Sequence, residues 1–188
     1  LLVSLNIMGF SNMGAALITS IVVPLSLPLL ALFVKVVLVG NRWGRQNSAP
    51  FWSVRHFTYF LAQDCFFRLM ASFMSTVSGT ALANPILRRF GCRIGQRTLI
   101  GLPLQMSDWH AVDIGDDCVV NGQMQLHSFE DRLLTVSRTR IGNGSTINHG
   151  TMLMGGAHLD SGVTVDPQSL VLKAMNLEAG IHAGSPTQ

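Results

Sequence analysis

The stretch that decides the fold runs from Ile141 to Val171 and reads IGNGSTINHGTMLMGGAHLDSGVTVDPQSLV. Aliphatic residues recur in it at every sixth position, and the same register extends upstream to Ile94. The register residues are Ile94, Ile100, Ile114, Val120, Leu126, Ile141, Ile147, Leu153, Leu159, Val165 and Val171. A period of six fits neither a helix nor a single strand, and it predicts a parallel β-helix built of hexapeptides.

Small residues and turn formers hold fixed places in the hexads. A small residue often stands four positions after the aliphatic one, as at Thr98, Cys118, Ser145, Thr151, Ala157 and Ser169. We expect both kinds to point into a triangular shaft, with three hexads to a coil. Gly, Asn or Asp usually follows the aliphatic residue directly, as at Gly95, Gly142 and Asn148. We expect these turn formers to take the left-handed backbone conformation at the corners.

The register breaks twice, between Ile100 and Ile114 and between Leu126 and Ile141. The second break contains the longest polar interruption of the repeats, His127 to Arg140, which reads HSFEDRLLTVSRTR. An excursion from a rigid solenoid is a usual place for function. We therefore expect the functional site at this excursion.

Composition excludes several classes of protein. The chain is 48% hydrophobic and 12% charged, with a net charge of +3. It lacks a basic stripe with interleaved aromatic residues, so nucleic-acid binding is not expected. The three cysteines have neither metal nor redox spacing, which favours free thiols in a reducing compartment.

The N-terminal part predicts membrane attachment. Ala15–Val39 carries Lys35 as its one charge and is long enough to cross a bilayer. Lys35, Arg42 and Arg45 cluster at its end, which predicts that this end, and the β-helix after it, faces the cytoplasm. A buried core helix is the alternative for this segment.

Three parts are expected along the chain. Residues 1–45 form the transmembrane part, 46–90 form amphipathic helices at the membrane interface, and 91–188 form the β-helix. The aromatic-rich stretch Phe51–Val77 favours the interfacial placement. A helical pair packing against the β-helix, or a second span, are the alternatives there.

Several motifs together carry a resemblance to a family. They are Gly79-Thr80, ILRRFGCRIG at 86–95, HSFEDR at 127–132, SLVLK at 169–173 and Gly184-Ser185-Pro186. The chain resembles the membrane-tethered C-terminal region of polylysine-synthetase-like nonribosomal peptide synthetases, within the hexapeptide acyltransferase class. The resemblance implies a left-handed coil and a condensation unit that moves a carrier-bound thioester acyl or aminoacyl group to an amine.

The same resemblance implies the partners of such a unit. The acyl donor would be the phosphopantetheine arm of a carrier domain, or coenzyme A, with no tightly bound cofactor. Further partners would be membrane lipid and sister β-helix units, in a trimer or pseudo-trimer. A different class of function is an inactive β-helical scaffold that docks carrier or sister domains. A transporter formed by the N-terminal helices has too few spans.

Acyl transfer to an amine needs a base and a group that stabilises the oxyanion. We expect His127 to be the base because its pKa lies near neutral and it opens the excursion. Glu130 or Asp131 is expected to hold its other ring nitrogen, and Arg132 to stabilise the oxyanion or bind a pantetheine phosphate. A histidine that only fixes the loop, with structural ion pairs around it, is the alternative.

Three further residues are predicted substrate contacts, and one class of site is not expected. His149 points outward and is expected to line a cleft, while Ser169 and Lys173 belong to the SLVLK motif. The spacing of His127, His149 and His158 does not suit a zinc site, so no metal is expected.

Overall fold

The computed structural model describes residues 12–38, 48–101, 106 and 108–188. Helices α1 (Asn12–Leu38), α2 (Val54–Val77) and α3 (Ala83–Arg89) precede a β-helix, and strand β1 (Ser48–Pro50) lies between α1 and α2. The expected end of the membrane segment, with Arg42 and Arg45, lies outside the described residues.

The β-helix has three faces, each a parallel sheet. The first sheet contains β2 (Arg93–Ile94), β4 (Val112–Ile114), β9 (Thr139–Ile141), β12 (His158–Leu159) and β15 (Asn176–Leu177). The second sheet contains β3 (Leu99–Ile100), β5 (Val119–Val120), β10 (Thr146–Ile147), β13 (Val163–Val165) and β16 (Gly180–His182). The third sheet contains β6 (Gln123–Gln125), β11 (Met152–Met154) and β14 (Leu170–Val171), and Met106 extends it through a parallel bridge to Met124.

The hexapeptide prediction is confirmed by the pairing at all register positions but one, and by burial. Thr146 pairs with Thr164, and Leu159 pairs with Leu177, so each undisturbed coil takes 18 residues. The predicted register is wrong at Leu126, because Met124 is the residue that pairs with Leu153. All eleven aliphatic residues are nevertheless buried, and so are the six small residues named with them. These side chains form one continuous column in the shaft, which is the main source of stability in a stacked repeat.

The expectation for the corner glycines is wrong. The residue after each aliphatic one is not left-handed; the left-handed backbone comes two positions later, at Arg97, Asp117, Gly144, Gly150, Gly156, Gly162, Gln168 and Ala174. The glycines that directly follow the aliphatic residues are instead required by close contact between neighbouring coils. A Cβ on Gly142 would lie 2.5 Å from the carbonyl carbon of Asp160 in the next coil, a distance that real side chains do not tolerate.

The polar excursion forms a β-hairpin that leaves the shaft. Strands β7 (His127–Glu130) and β8 (Leu133–Val136) pair antiparallel, and the two residues between them, Asp131 and Arg132, have φ of 49° and 60°. Positive φ at both positions is the geometry of a two-residue hairpin turn. Strand β1 adds to the free edge of β8, with Ala49 opposite Leu134.

Helix α2 packs on the β-helix. Its buried residues follow a helical stripe, Tyr59, Ala62, Phe66, Met70, Met74 and Val77. All of them except Ala62 belong to the same core as the shaft. The ring of Phe66 contacts Phe90 and Trp109 at centroid distances of 4.8 and 5.1 Å. The expected interfacial placement is therefore corrected for this face of the helix, which is covered by protein.

Helix α1 contains a stretch, Gly14–Val37, that is long and apolar enough to cross a membrane, with a mean hydropathy of 2.4. Only 6% of its most apolar window is buried within the protein. Leu29 and Phe33 are 70% and 65% exposed. The helix nevertheless contacts the rest of the fold near its end, where Ala31 joins the core and Lys35 Nζ donates a hydrogen bond to the Phe90 carbonyl at 2.7 Å.

Candidate functional site

Both breaks in the hexapeptide register fall at one corner of the shaft. The first lies between Met106 and β4, and the second lies between β6 and β9, so each connects the third sheet to the first. The first break brings in Asp108, and the second brings in the hairpin that begins at His127. Stacked coils therefore place these two insertions next to each other.

His127 and Asp108 form a hydrogen-bonded pair. The imidazole Nδ1 lies 2.8 Å from Asp108 Oδ2. Asp108 is fully buried and has a left-handed backbone with φ of 60°, while the His127 side chain is 18% exposed. The hydrogen bond that the imidazole donates to the Asp108 carboxylate raises the pKa of His127 above its ordinary value, and burial opposes this only in part.

The second oxygen of this carboxylate faces helix α2. Gln63 Nε2 lies 3.0 Å from Asp108 Oδ1 and 3.1 Å from the hydroxyl oxygen of Tyr59. A carboxylate only accepts hydrogen bonds, so the amide nitrogen of Gln63 must face it. Asp108 thus joins the hairpin to the helix through its two oxygens.

Aromatic rings surround the imidazole on the outer side. Phe60 and Phe129 lie 6.0 and 5.6 Å from the His127 ring, and they stack on each other at 5.9 Å. Next to Phe60, at the start of α2, an open and largely apolar cavity of about 410 Å³ is lined by Trp52, Ser53, Val54, His56, Phe57 and Phe60. Phe60 thus contacts the imidazole and also lines the recess, whereas His127 itself does not line it.

A small cavity of about 40 Å³ lies beside the same network. Its polar lining comes from Lys35, Tyr59, Gln63, Trp109 and His110. Burial lowers the pKa of His110, which holds this second imidazole in its neutral form near neutral pH. His110 therefore adds no fixed charge next to Asp108.

The predicted partners of His127 lie elsewhere on the hairpin. Glu130 Oε1 accepts a hydrogen bond from Lys173 Nζ at 2.6 Å, and the same ammonium lies 3.2 Å from Ser128 Oγ. This contact, which lowers the pKa of Glu130, ties the hairpin to a later coil. Asp131 and Arg132 are exposed at the turn, at the far end of the hairpin from His127. The expectation that Glu130 or Asp131 holds the Nδ1 atom of His127 is wrong, because Asp108 holds it.

Two of the three predicted substrate contacts are not brought to this corner. His149 is exposed after β10, at the corner between the second and third sheets. Ser169 is 2% exposed, and its hydroxyl accepts a hydrogen bond from Gly184 N at 3.2 Å. A buried hydroxyl that holds the chain cannot meet a substrate at the surface, so Ser169 is corrected to a structural residue. Lys173 alone reaches the hairpin.

The pair has the geometry of a general base with its orienting carboxylate. Asp108 on Nδ1 fixes the tautomer with hydrogen on that nitrogen, which leaves Nε2 as a proton acceptor. Among the described residues, no cluster of three or more His, Cys, Asp or Glu side chains is arranged to hold a metal ion. The chemistry that these residues can perform is proton transfer.

Sequence reasoning missed Asp108 and Gln63. Asp108 lies in the first register break, and the position of that break was the feature of the sequence that could have indicated its role. The breaks at 100–114 and 126–141 could have been assigned to one corner had Met106 been counted as a shaft residue. No sequence pattern indicated Gln63, because its contact with Asp108 depends on how α2 packs against the β-helix.

Comparison with known proteins supports the fold and points to one relative. No protein-family model matches the chain. Delta-poly-L-ornithine synthetase of Acinetobacter baumannii is 26% identical over 166 residues, which cover 84% of this chain and 12% of that protein. A hexapeptide-repeat acetyltransferase structure from Vibrio cholerae matches with a TM-score of 0.50 and 12% identity, covering 67% of this chain and 89% of that one. This likeness shows the hexapeptide β-helical fold, with which the expected left-handed coil agrees.

Proposed function

We propose that this chain is an acyl or aminoacyl transferase unit that moves an acyl group from a carrier-bound thioester to an amine. The observation that carries the proposal is the His127–Asp108 pair, built by two insertions that meet at one corner of the shaft. A buried carboxylate on the inner nitrogen of a part-exposed imidazole orients the ring and leaves its other nitrogen as a proton acceptor, which suits a general base.

The proposed reaction needs no covalent enzyme intermediate. The amine of the acceptor attacks the thioester carbonyl carbon while its proton passes to His127 Nε2. The carbon–sulfur bond then breaks, and the departing thiolate takes the proton from the imidazolium. Asp108 stabilises the imidazolium between these steps, because a carboxylate at 2.8 Å favours the charged ring.

The donor and the acceptor of the proposed reaction are inferred from the similarity to the ornithine-polymer synthetase. The matched segment is a small part of a synthetase whose name describes a polymer of ornithine linked through the δ position. We propose a carrier-bound aminoacyl donor and an amine acceptor on this ground, with sister β-helix units as partners. The apolar recess beside Phe60 is the proposed path for the thin pantetheine arm.

One experiment separates transferase from scaffold. The protein in detergent, with carrier domain preloaded with an aminoacyl thioester and an excess of amine, should release free thiol and form amide faster than carrier and amine alone. Coenzyme A thioester in place of the carrier tests the second donor. If carrier binds while neither donor reacts above background, the chain is the scaffold.

Membrane attachment through α1 is part of the proposal. The exposed apolar side chains of Gly14–Val37 support it, and we propose that the β-helix lies on the cytoplasmic side. We expect the protein to stay in the membrane pellet after carbonate extraction, since a spanning helix is released by detergent and not by high pH. Replacing Leu29 and Phe33 by lysine should move it to the supernatant. Release of the unchanged protein by carbonate would contradict the proposal.

A further inference from the structure

We infer that Gln63 is the residue that positions the general base, through Asp108, and so makes the site depend on the docking of helix α2. This inference rests on the proposed function and extends it to a part of the chain outside the β-helix. It concerns orientation, since Gln63 does not contact His127 and reacts with nothing.

The geometry gives Gln63 a single task. Its two amide hydrogens point to Asp108 Oδ1 at 3.0 Å and to the Tyr59 hydroxyl at 3.1 Å. Tyr59 is one helical turn earlier on α2 and is 1% exposed, so the amide is held on both sides. With Oδ1 bound to the helix, the carboxylate plane is fixed and Oδ2 is directed at His127 Nδ1.

The packing of α2 against the β-helix holds Gln63 next to Asp108. Phe66, one turn after Gln63, packs between Phe90 and Trp109, and Trp109 directly follows Asp108. The helix and the inserted corner thus share a packed interface one turn from the amide. Strand β1, which precedes the helix in the chain, is tied to the hairpin through its pairing with β8.

Among the described residues, several other charged or titratable groups lie on the elements around the pair. They are Lys35 on α1, His56 and Tyr59 on α2, His110 beside the corner, and Glu130, Arg138 and Lys173 on and near the hairpin. Asp108 is the charge that acts on His127, with its hydrogen bond as the largest cause of the raised pKa. A change at position 63 that releases Asp108 therefore changes the titration of His127 through this hydrogen bond.

The test uses two variants of the detergent-solubilised chain, Gln63→Leu and Gln63→Glu, with Gln123→Glu as the matched control on an exposed strand position. Gln63→Leu removes the donor, and we expect kcat to fall by up to about 10²-fold with KM unchanged, as for a misplaced catalytic group. In Gln63→Glu a second carboxyl group lies beside Asp108. Two carboxyl groups at this distance do not both ionise, so the pair keeps a proton through which the introduced group can donate to Oδ1 as the amide does. We expect the pKa of His127 to fall toward its ordinary value in Gln63→Leu, because Oδ2 is no longer held at Nδ1, and to stay raised in Gln63→Glu.

The pKa of His127 is read by NMR of labelled histidine, which needs no substrate, and the resonance is assigned with His127→Ala. An unchanged His127 titration in Gln63→Leu would overturn the inference, as would wild-type kcat in that variant. Should Gln63→Leu not fold, Gln63→Met removes the donor with a side chain of similar length and takes its place. A shifted titration in a chain that transfers no acyl group would leave the positioning role standing and reject the proposed function.

Discussion

Replacing His127 by alanine should lower the rate of acyl transfer by about 10²–10⁴-fold, the usual cost of losing a general base. The donor thioester is already activated, so the remaining rate reflects binding and orientation alone. A single-turnover assay on preloaded carrier measures this step without interference from product release. Loading of the carrier itself should be unaffected.

The control variants separate chemistry from folding. His127→Ala leaves the buried Asp108 without one of its donors, which costs stability as well as activity. His127→Asn retains a donor that can reach the carboxylate but offers no base, so it should fold like the wild type and be as slow as the alanine variant. His149→Ala changes an exposed residue at another corner and should be fully active. If His149→Ala is dead and His127→Asn is active, the base has been misassigned.

Asp108→Asn should have the second large effect, in the same range of about 10²–10⁴-fold on the rate. An asparagine at position 108 keeps the shape of the side chain but can present its amide hydrogens to His127 Nδ1. The ring then carries its hydrogen on Nε2, the nitrogen that should accept the proton. The variant tests the orientation of the base with little change in volume.

The pH dependence of this variant has a definite sign. Asp108 raises the pKa of His127 in the folded protein, and only the neutral imidazole acts as a base. The activity of the wild type should therefore rise with pH through this raised pKa. In Asp108→Asn the same limb should move to lower pH while the plateau falls. A limb that does not move would show that the Asp108 carboxylate does not tune the base.

The stability of the folded protein should also depend on pH through the His127–Asp108 pair. Because the folded pKa of His127 is raised, the pair contributes stability that is fully present below the unfolded pKa and is lost as pH rises through the folded pKa. The difference in melting temperature between wild type and Asp108→Asn should therefore be larger in acid than in mildly alkaline buffer. Melting curves across this pH range measure it.

The shaft could be predicted from the sequence because its pattern is local and repeated. Each of the aliphatic positions, from Ile94 to Val171, is buried, and the pairing departs from the predicted register at Leu126, whose place Met124 takes. The corners were predicted less well, because the reason for glycine at Gly142 is contact with Asp160 in the next coil, and a pattern read along one coil does not contain it.

Of the three residues of the site, only His127 could be predicted from the sequence. It opens the longest polar interruption of the repeats, and its neighbours in sequence were therefore the first candidates for its hydrogen-bond partner. The actual partner, Asp108, lies one coil earlier, so the choice depends on which coils are adjacent. The helix that supplies Gln63 showed an aromatic-rich pattern that suits a membrane interface and a protein interface equally, and the structure gives it a protein interface.

The pairing of β1 with β8 has a consequence for the order in which the molecule is made. Coils of the shaft join residues 18 positions apart, whereas Ala49 must meet Leu134, and Gln63 must meet Asp108 across 45 positions. Contacts between distant parts of a chain form slowly, since they require the closure of long loops. During synthesis α2 emerges before the surface that covers its apolar stripe exists. The shaft can thus assemble coil by coil as it leaves the ribosome, whereas the orientation of His127 depends on a contact across 45 positions that no neighbouring coil supplies.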